Sequence, residues 1–102
     1  KNISFLMDEK GKWRLSPAYD MGYAYNPDGL WTRTHQMSIN GKFDNLTRQD
    51  LLACAASNNI KNAAEIIDRV YEHAAEWGNT ARNCGVPHEM ITAIEKHLLL
   101  NI

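Results

Sequence analysis

From Ala63 to Trp77, apolar residues recur at spacings of three and four, and this periodicity constrains the fold of the second half of the chain. The residues on the repeating stripe are Ala63, Ile66, Ile67, Val70, Tyr71, Ala74 and Trp77. This spacing places side chains on one face of an α-helix and predicts that the face packs against a core. Asn62 stands where a helix N-cap is expected, and Cys84-Gly85 stands where the helix is expected to end.

One shorter helix is predicted before the long helix and another after it. Thr47 followed by Asp50 resembles a capping box with Asp in place of the usual Glu, so a short helix begins there and ends near Asn58. Pro87 opens the last helix, because proline is favoured in a first helical turn. The inward-facing residues of that helix are expected to be Met90, Ile91, Ile94, Leu98 and Leu99. Segment 46–102 is therefore predicted to be a helical subdomain.

The first half of the chain has a different pattern, in which short β-type runs alternate with turns. Ile3 to Met7 is rich in β-compatible residues, and Lys12 to Leu15 alternates polar and apolar side chains. The polar turn between them contains Gly11, which is expected to need a positive φ. Together these features predict an antiparallel β-hairpin.

A second, smaller hairpin is predicted around Asn40-Gly41, a dipeptide favoured in two-residue hairpin turns. Its expected strands are His35 to Ile39 and Lys42 to Phe43. With the helical half, this predicts an α+β fold that is mainly helical. One or two small β-hairpins in residues 1–45 are followed by about three helices in residues 46–102.

Charge and composition exclude several classes of protein. The formal net charge of -1 creates no overall field that would attract nucleic acid or an anionic membrane. No apolar run approaches the roughly 18 residues that a membrane helix needs. Cys54 and Cys84 stand outside any CxxC pair, and the histidines form no HExxH pattern. A soluble cytoplasmic protein with reduced thiols and no membrane partner is expected.

The first hairpin also brings two oxygen-bearing side chains to one end. Its strands run antiparallel, so Asn2, just before the first strand, and Asp20, just after the second, are predicted to be neighbours. An amide oxygen and a carboxylate are suitable ligands for Mg²⁺. In protein kinases an Asn and an Asp separated by a short hairpin hold Mg²⁺ at the nucleotide phosphates. From topology alone, an Asp that caps its own turn is the simpler interpretation, because such turns are common.

A resemblance to a known family covers nearly the whole chain. The segment KNISFLMDEKGKWRLSPAYDMG is similar to the HipA-like serine/threonine kinases, the toxins of bacterial type II toxin–antitoxin pairs, in which a D-x-H-x-K-N segment precedes an apolar strand and a P-x-Y-D-type segment. Lys1-Asn2 matches the end of the first segment, and Pro17 to Asp20 matches the second. The later MSINGK and the helical tail AAEWGNTARNCGVPHEMITAIEKHLL also resemble the C-terminal part of the family.

The resemblance implies roles for individual residues. Asn2 and Asp20 would bind Mg²⁺, and Lys1 and Tyr19 would join them in binding the nucleotide. The Asp and His of D-x-H-x-K-N would precede Lys1, so the chain is expected to be a C-terminal fragment of a longer kinase, from the kinase-like C-terminal lobe, without the catalytic base and inactive alone. Alternatively, Lys1 is a flexible chain end and Tyr19 is a ring packed beneath the site.

The resemblance also implies a biological setting. A kinase of this family would use ATP and Mg²⁺ to phosphorylate a protein, in the family an aminoacyl-tRNA synthetase, and so arrest growth. Its partner would be a HipB-like DNA-binding antitoxin, through which any contact with DNA would be indirect. Two alternatives stay open: a related kinase for a small molecule, and a non-enzymatic helical interaction module in which Asp20 is structural. The sequence immediately before Lys1 would decide between the kinase and the second alternative, because D-x-H there supports the kinase and its absence removes most of the case for it.

Overall fold

The computed structural model describes residues 2–102, which belong to two compact units: the first ends at Arg33, and the second is Thr34–Ile102. The elements in chain order are β1 (Phe5–Met7), β2 (Trp13–Leu15), α1 (Arg48–Ser57), α2 (Ala63–Ala75), α3 (Trp77–Asn83) and α4 (His88–Glu95). This confirms the predicted α+β, mainly helical fold class. The division predicted after residue 45 follows a different criterion, the change from turn-rich to helical sequence, and stays a prediction.

β1 and β2 form a two-stranded antiparallel hairpin, as predicted. Its register pairs Phe5 with Leu15, Leu6 with Arg14, and Met7 with Trp13. In the connecting turn, Asp8 Oδ1 accepts hydrogen bonds from the backbone N–H groups of Lys10 and Lys12, each at 2.9 Å. Gly11 has φ = 79°, a conformation that suits glycine. The turn is therefore held locally and sets the register of both strands.

The first unit has no buried residue among those described. One face of its hairpin carries four large apolar side chains that are 57 to 63% exposed: Phe5, Met7, Trp13 and Leu15. At the open end, the Ser16 N–H donates a hydrogen bond to the Ser4 backbone oxygen at 2.9 Å. The side-chain hydroxyl of Ser4 also donates to that of Ser16 at 3.1 Å. Hydrogen bonds, rather than a core within this unit, hold the hairpin.

The apolar core lies in the second unit, where α1 packs on α2 and α3 packs on α4. The buried apolar residues are Leu46, Ala55, Ala63, Ile67, Ala81, Ile91 and Ile94. Ile91 on α4 is 1% exposed and is the largest fully buried side chain. None of the helices in residues 2–102 has the length and apolar character required to cross a membrane.

Helix α1 begins with the predicted capping box. The Asp50 N–H donates to Thr47 Oγ1 at 3.4 Å, and the Thr47 N–H donates to Asp50 Oδ2 at 2.9 Å. These two bonds satisfy backbone donors that a helix N-terminus otherwise leaves unpaired. Asn62 lies at the N-cap of α2, as predicted, but its side chain makes no capping hydrogen bond.

The long helix predicted after Asn62 is interrupted at Glu76, so residues 2–102 contain four helices. Glu76 has φ = -77° and ψ = 0°, which departs from α-helical geometry, although its N–H still bonds to the backbone oxygen of Glu72. Trp77, predicted to be buried, is half-buried. Its Nε1 donates to the backbone oxygen of Ile91 at 3.5 Å and so connects α3 to α4.

The predicted apolar faces of the helices are wider than the surface that the structure buries. On α2, Ile66, Val70 and Tyr71 are 43, 63 and 38% exposed. On and after α4, Met90 and Leu99 are 54 and 45% exposed. The prediction that these five side chains face the core was therefore wrong. A periodic stripe gives the direction of a buried face, whereas its width depends on how much of the helix a neighbouring element covers.

The second predicted hairpin is reduced to one antiparallel bridge, between Ile39 and Lys42. The N–H of each donates to the backbone oxygen of the other, at 2.8 and 3.0 Å, and the His35 N–H donates to the Phe43 oxygen at 3.2 Å. In the turn, Asn40 and Gly41 have φ = 51° and 77°, as a type I′ turn requires. We call residues 35–43 the Asn-Gly hairpin.

Candidate functional site

Asn2 and Asp20 lie together at the open end of the β1–β2 hairpin. Asn2 Nδ2 donates a hydrogen bond to the backbone oxygen of Asp20 at 3.0 Å. Both residues are exposed. The structure therefore brings together the two residues that the antiparallel strands predicted to be neighbours.

This hydrogen bond leaves the oxygen atoms of both side chains available. Because Nδ2 is the donor, Oδ1 of Asn2 takes no part in the bond, and the Asp20 carboxylate has no hydrogen bond or ion pair within residues 2–102. An amide oxygen and a carboxylate are the hard ligands that Mg²⁺ prefers, and Mg²⁺ fills its other positions with water and phosphate oxygens. The donor chemistry of the pair thus fits Mg²⁺.

The backbone of Asp20 is in the left-handed region, with φ = 52°. The other non-glycine residues with positive φ among those described are all asparagines: Asn40, Asn45 and Asn59. This conformation is unfavourable for most side chains but is tolerated by Asn and Asp. A substitution of Asp20 by Asn therefore changes the charge at a position whose backbone either residue can adopt.

Tyr19 precedes Asp20 and is 45% exposed, so its ring is not buried within the first unit. Further along the same segment, the rings of Tyr23 and Tyr25 are in edge-to-face contact, with centroids 6.4 Å apart. Lys1, which the resemblance places at the nucleotide, lies outside the described residues. The nucleotide contacts of Lys1 and Tyr19 stay predictions.

The described chain holds no larger cluster of metal ligands. Across residues 2–102, no group of three or more His, Cys, Asp or Glu side chains is placed to hold a metal ion. Asn2 and Asp20 would supply two ligands, which is the number that Mg²⁺ commonly takes from a protein when it is shared with nucleotide phosphates.

A second polar cluster, formed by Asn40, Lys42, Thr47 and Asp50, was not predicted from the sequence. Asp50 is 3% exposed. Its Oδ1 accepts from Asn40 Nδ2 at 2.9 Å, and its Oδ2 accepts from Lys42 Nζ at 2.8 Å. The same Oδ2 accepts from the N–H and the Oγ1 of Thr47 at 2.9 and 2.7 Å. We call these four residues the Asp50 cluster.

The hydrogen bonds of the Asp50 cluster stabilise the ionised form of the carboxyl group. The bond from Lys42, followed by those from Asn40 and Thr47, holds the pKa of Asp50 well below its usual range. The sequence showed the Asn-Gly turn and the capping pair as separate signals. The sequence signal that connects the two is the position of Lys42, which lies directly after the turn and eight residues before the capping carboxylate of Asp50.

The chain is similar to one known protein family. A model described as HipA-like C-terminal domain matches residues 1–78. No curated protein and no solved structure matches the chain. The matched range includes Asn2, Tyr19 and Asp20 and all members of the Asp50 cluster.

Proposed function

Because the chain belongs to the family of HipA-like C-terminal domains, we propose that it is the metal-binding part of a serine/threonine protein kinase. Such a kinase transfers the γ-phosphate of ATP to a hydroxyl group of a protein. In this proposal Asn2 and Asp20 hold the Mg²⁺ that accompanies ATP, and Lys1 and Tyr19 contact the nucleotide.

One observation carries the proposal: the hydrogen bond from Asn2 to the backbone of Asp20. The two residues are 18 positions apart, and the hairpin between them brings the side chain of Asn2 to the backbone of Asp20. Kinases hold their metal with an Asn and an Asp from corresponding elements. A bound Mg²⁺ supplies charge neutralisation at the phosphates.

The contribution of this chain to the reaction is binding and orientation. The bond from Asn2 restrains the backbone of Asp20 and so limits where its carboxylate can lie. Tyr19, next to Asp20, has an exposed ring surface with which it can contact a nucleotide. The proposal assigns the catalytic base and the phosphate-binding lysine to other parts of the kinase. The 102-residue chain alone is therefore expected to bind metal without transferring phosphate.

The proposed biological role is that of the family. The kinase would act in the cytoplasm, phosphorylate an aminoacyl-tRNA synthetase and thereby arrest growth, and a HipB-like DNA-binding antitoxin would restrain it. This part of the proposal rests on family membership alone.

Mn²⁺, a paramagnetic substitute for Mg²⁺, tests the metal site directly. In NMR spectra of the 102-residue chain, Mn²⁺ is expected to broaden the amide signals around Asn2 and Asp20 first. The Asp20→Asn variant should lose this selective broadening while its hairpin signals stay in place. Asp28→Asn is the control, because it removes another exposed carboxylate from the same unit. Broadening that survives Asp20→Asn, or that depends equally on Asp28, would refute the metal site.

Kinase activity is tested in a protein that contains this chain together with the D-x-H segment. There Asp20→Asn should slow phosphate transfer roughly 100-fold or more and leave the melting temperature unchanged, because the metal's stabilisation of charge is worth several kcal/mol. Asp28→Asn should keep normal transfer. A stable Asp20→Asn protein with near-normal turnover at saturating Mg²⁺ would contradict the proposal. Transfer to a small molecule, but to no protein, would favour the alternative kinase.

A further inference from the structure

The Asp50 cluster joins two elements of the second unit: the Asn-Gly hairpin and the N-terminus of α1. From the hairpin, Asn40 and Lys42 donate to the Asp50 carboxylate; from the helix N-cap, Thr47 donates through its N–H and its hydroxyl group. A capping box needs only the contacts with Thr47. The contacts with the hairpin are additional, and the proposed metal site does not use them.

We propose that Asp50 couples the opening of the Asn-Gly hairpin to the opening of the first turn of α1, so that the two elements open and close together. We call the Asp50 cluster, in this role, the clasp. Asp50 is 3% exposed, and an ionised group at such a position is costly to leave without its partners. When the hairpin moves away from α1, the Asp50 carboxylate loses the donors Asn40 and Lys42. Its free energy is then lower if it rotates into water, and this rotation weakens its cap contacts with Thr47. When the cap opens, the hairpin loses its anchor.

The Asn-Gly hairpin contains one antiparallel bridge, between Ile39 and Lys42. Its backbone hydrogen bonds, between Ile39 and Lys42 and from His35 to Phe43, are internal. A hairpin with so few cross-strand bonds is marginally stable by itself. The bonds from Asn40 and Lys42 to Asp50 connect it to a helix that is packed on α2.

Lys42 is the charged partner of Asp50 in the clasp, and it is exposed to solvent. Its side chain is 47% exposed, whereas that of Asp50 is 4% exposed, and the two charged groups are 2.8 Å apart. A change that removes the charge of Lys42 takes away the ionic partner of Asp50 and leaves the backbone of the turn unaltered. The charge of Lys42 therefore sets how often the clasp opens.

Amide hydrogen exchange in the full chain, followed by NMR, measures this opening at each residue. The first variant is Lys42→Met, which keeps a long aliphatic side chain and removes the ammonium group. The amides of residues 39 and 42 report on the hairpin, and those of residues 50 and 51 report on the cap. Both pairs are expected to exchange roughly two- to fivefold faster, the range for a partly exposed ion pair. Lys42→Arg, which keeps the charge, should restore most of the protection.

The reciprocal variant is Thr47→Val, which removes the hydroxyl donor of the cap and keeps a β-branched side chain. It is expected to speed exchange at residues 39 and 42, although Thr47 is not part of the hairpin. Asp68→Asn is the matched control, because it breaks the ion pair of Arg48 on the same helix, outside the clasp. That control should leave exchange at residues 39 and 42 unchanged.

The exchange pattern decides the proposal. Faster exchange confined to the hairpin in Lys42→Met and to the cap in Thr47→Val would overturn it, because the two elements would then open separately. Unchanged exchange in both variants would also overturn it. Equal acceleration through the whole second unit, including the amide of Ile91, would indicate global unfolding and would equally contradict a local clasp. Acceleration of both reporter pairs in both variants, with Ile91 unaffected, would support it.

Discussion

The side chain of Asn2 donates a hydrogen bond to the backbone oxygen of Asp20 at 3.0 Å, across the open end of the hairpin. The backbone that accepts this bond has φ = 52°. Asp20 is therefore subject to two separate requirements. Its backbone must adopt a left-handed conformation, and its carboxylate must carry a charge if it binds a metal. Substitutions that change one of these properties and keep the other can separate them.

The conformational requirement predicts an order of stability among Asp20 variants. Asp20→Ala should open the end of the hairpin more easily than Asp20→Gly by ~1 kcal/mol, or about fivefold, because alanine is disfavoured at positive φ and glycine is not. Asp20→Asn should resemble the wild-type protein. The measurement is hydrogen exchange of the Ser16 amide, which bonds to Ser4 at the same end. Equal exchange in the Ala and Gly variants would show that the left-handed conformation is not maintained in solution.

Burial on α4 predicts different effects for two adjacent residues. Ile91 is 1% exposed, so Ile91→Ala should lower the free energy of unfolding by ~3 kcal/mol through lost burial and a cavity. Met90 is 54% exposed, and Met90→Ala should change the free energy of unfolding by about 0.5 kcal/mol or less. Urea denaturation of both variants compares them. Similar losses would mean that the face of α4 is oriented differently.

The sequence predicted features that depend on local geometry. The pairing of Asn2 with Asp20 follows from a tight turn and antiparallel strands, and the Thr47–Asp50 cap follows from a spacing of three residues. In both cases the chain between the two residues fixes their distance. The motif around Lys1-Asn2 also predicted a HipA-like family, which the family match confirms.

The features that the sequence did not predict depend on neighbours that local patterns do not specify. The capping pattern identified one partner of Asp50, whereas Asn40 and Lys42 reach the same carboxylate from a separate hairpin. The apolar periodicity of α2 continues through Val70, which is 63% exposed because no neighbouring element covers that side within its unit. The interruption at Glu76 lies two residues before Gly78, but Cys84-Gly85 later in the chain was the predicted end, so the predicted helix continued past the break.

The ion pair between α1 and α2 predicts a small, salt-dependent contribution to stability. Arg48 Nη2 and Asp68 Oδ1 are 2.7 Å apart, with side chains 35 and 57% exposed. A double-mutant cycle with Arg48→Met and Asp68→Asn should give a coupling energy of about 0.2 to 1 kcal/mol, because solvent screens exposed pairs. The coupling should shrink in about 1 M salt. A coupling well above this range, or one insensitive to salt, would show that the pair is more buried in solution.

The lowered pKa of Asp50 predicts how stability changes in acid. In the folded protein the bond from Lys42, with those from Asn40 and Thr47, favours the carboxylate, whereas in the unfolded chain the group has its ordinary pKa of 3.8. The unfolded chain therefore binds the proton more readily. The stability that this carboxylate contributes is fully present above about pH 5 and is lost as the pH falls through the ordinary pKa toward the lower pKa of the folded state.

The Asp50→Asn variant should consequently respond less to acid than the wild-type protein. Between about pH 5 and pH 3, its free energy of unfolding should fall less steeply, because the group whose protonation favours unfolding is gone. Lys42→Met should give an intermediate slope, since it removes the strongest cause of the lowered pKa and leaves those from Asn40 and Thr47. Urea denaturation at several pH values measures the three slopes. Parallel curves for the three proteins would contradict the hydrogen-bonded state of Asp50, because a carboxyl group with the same pKa in both states adds no pH dependence to folding.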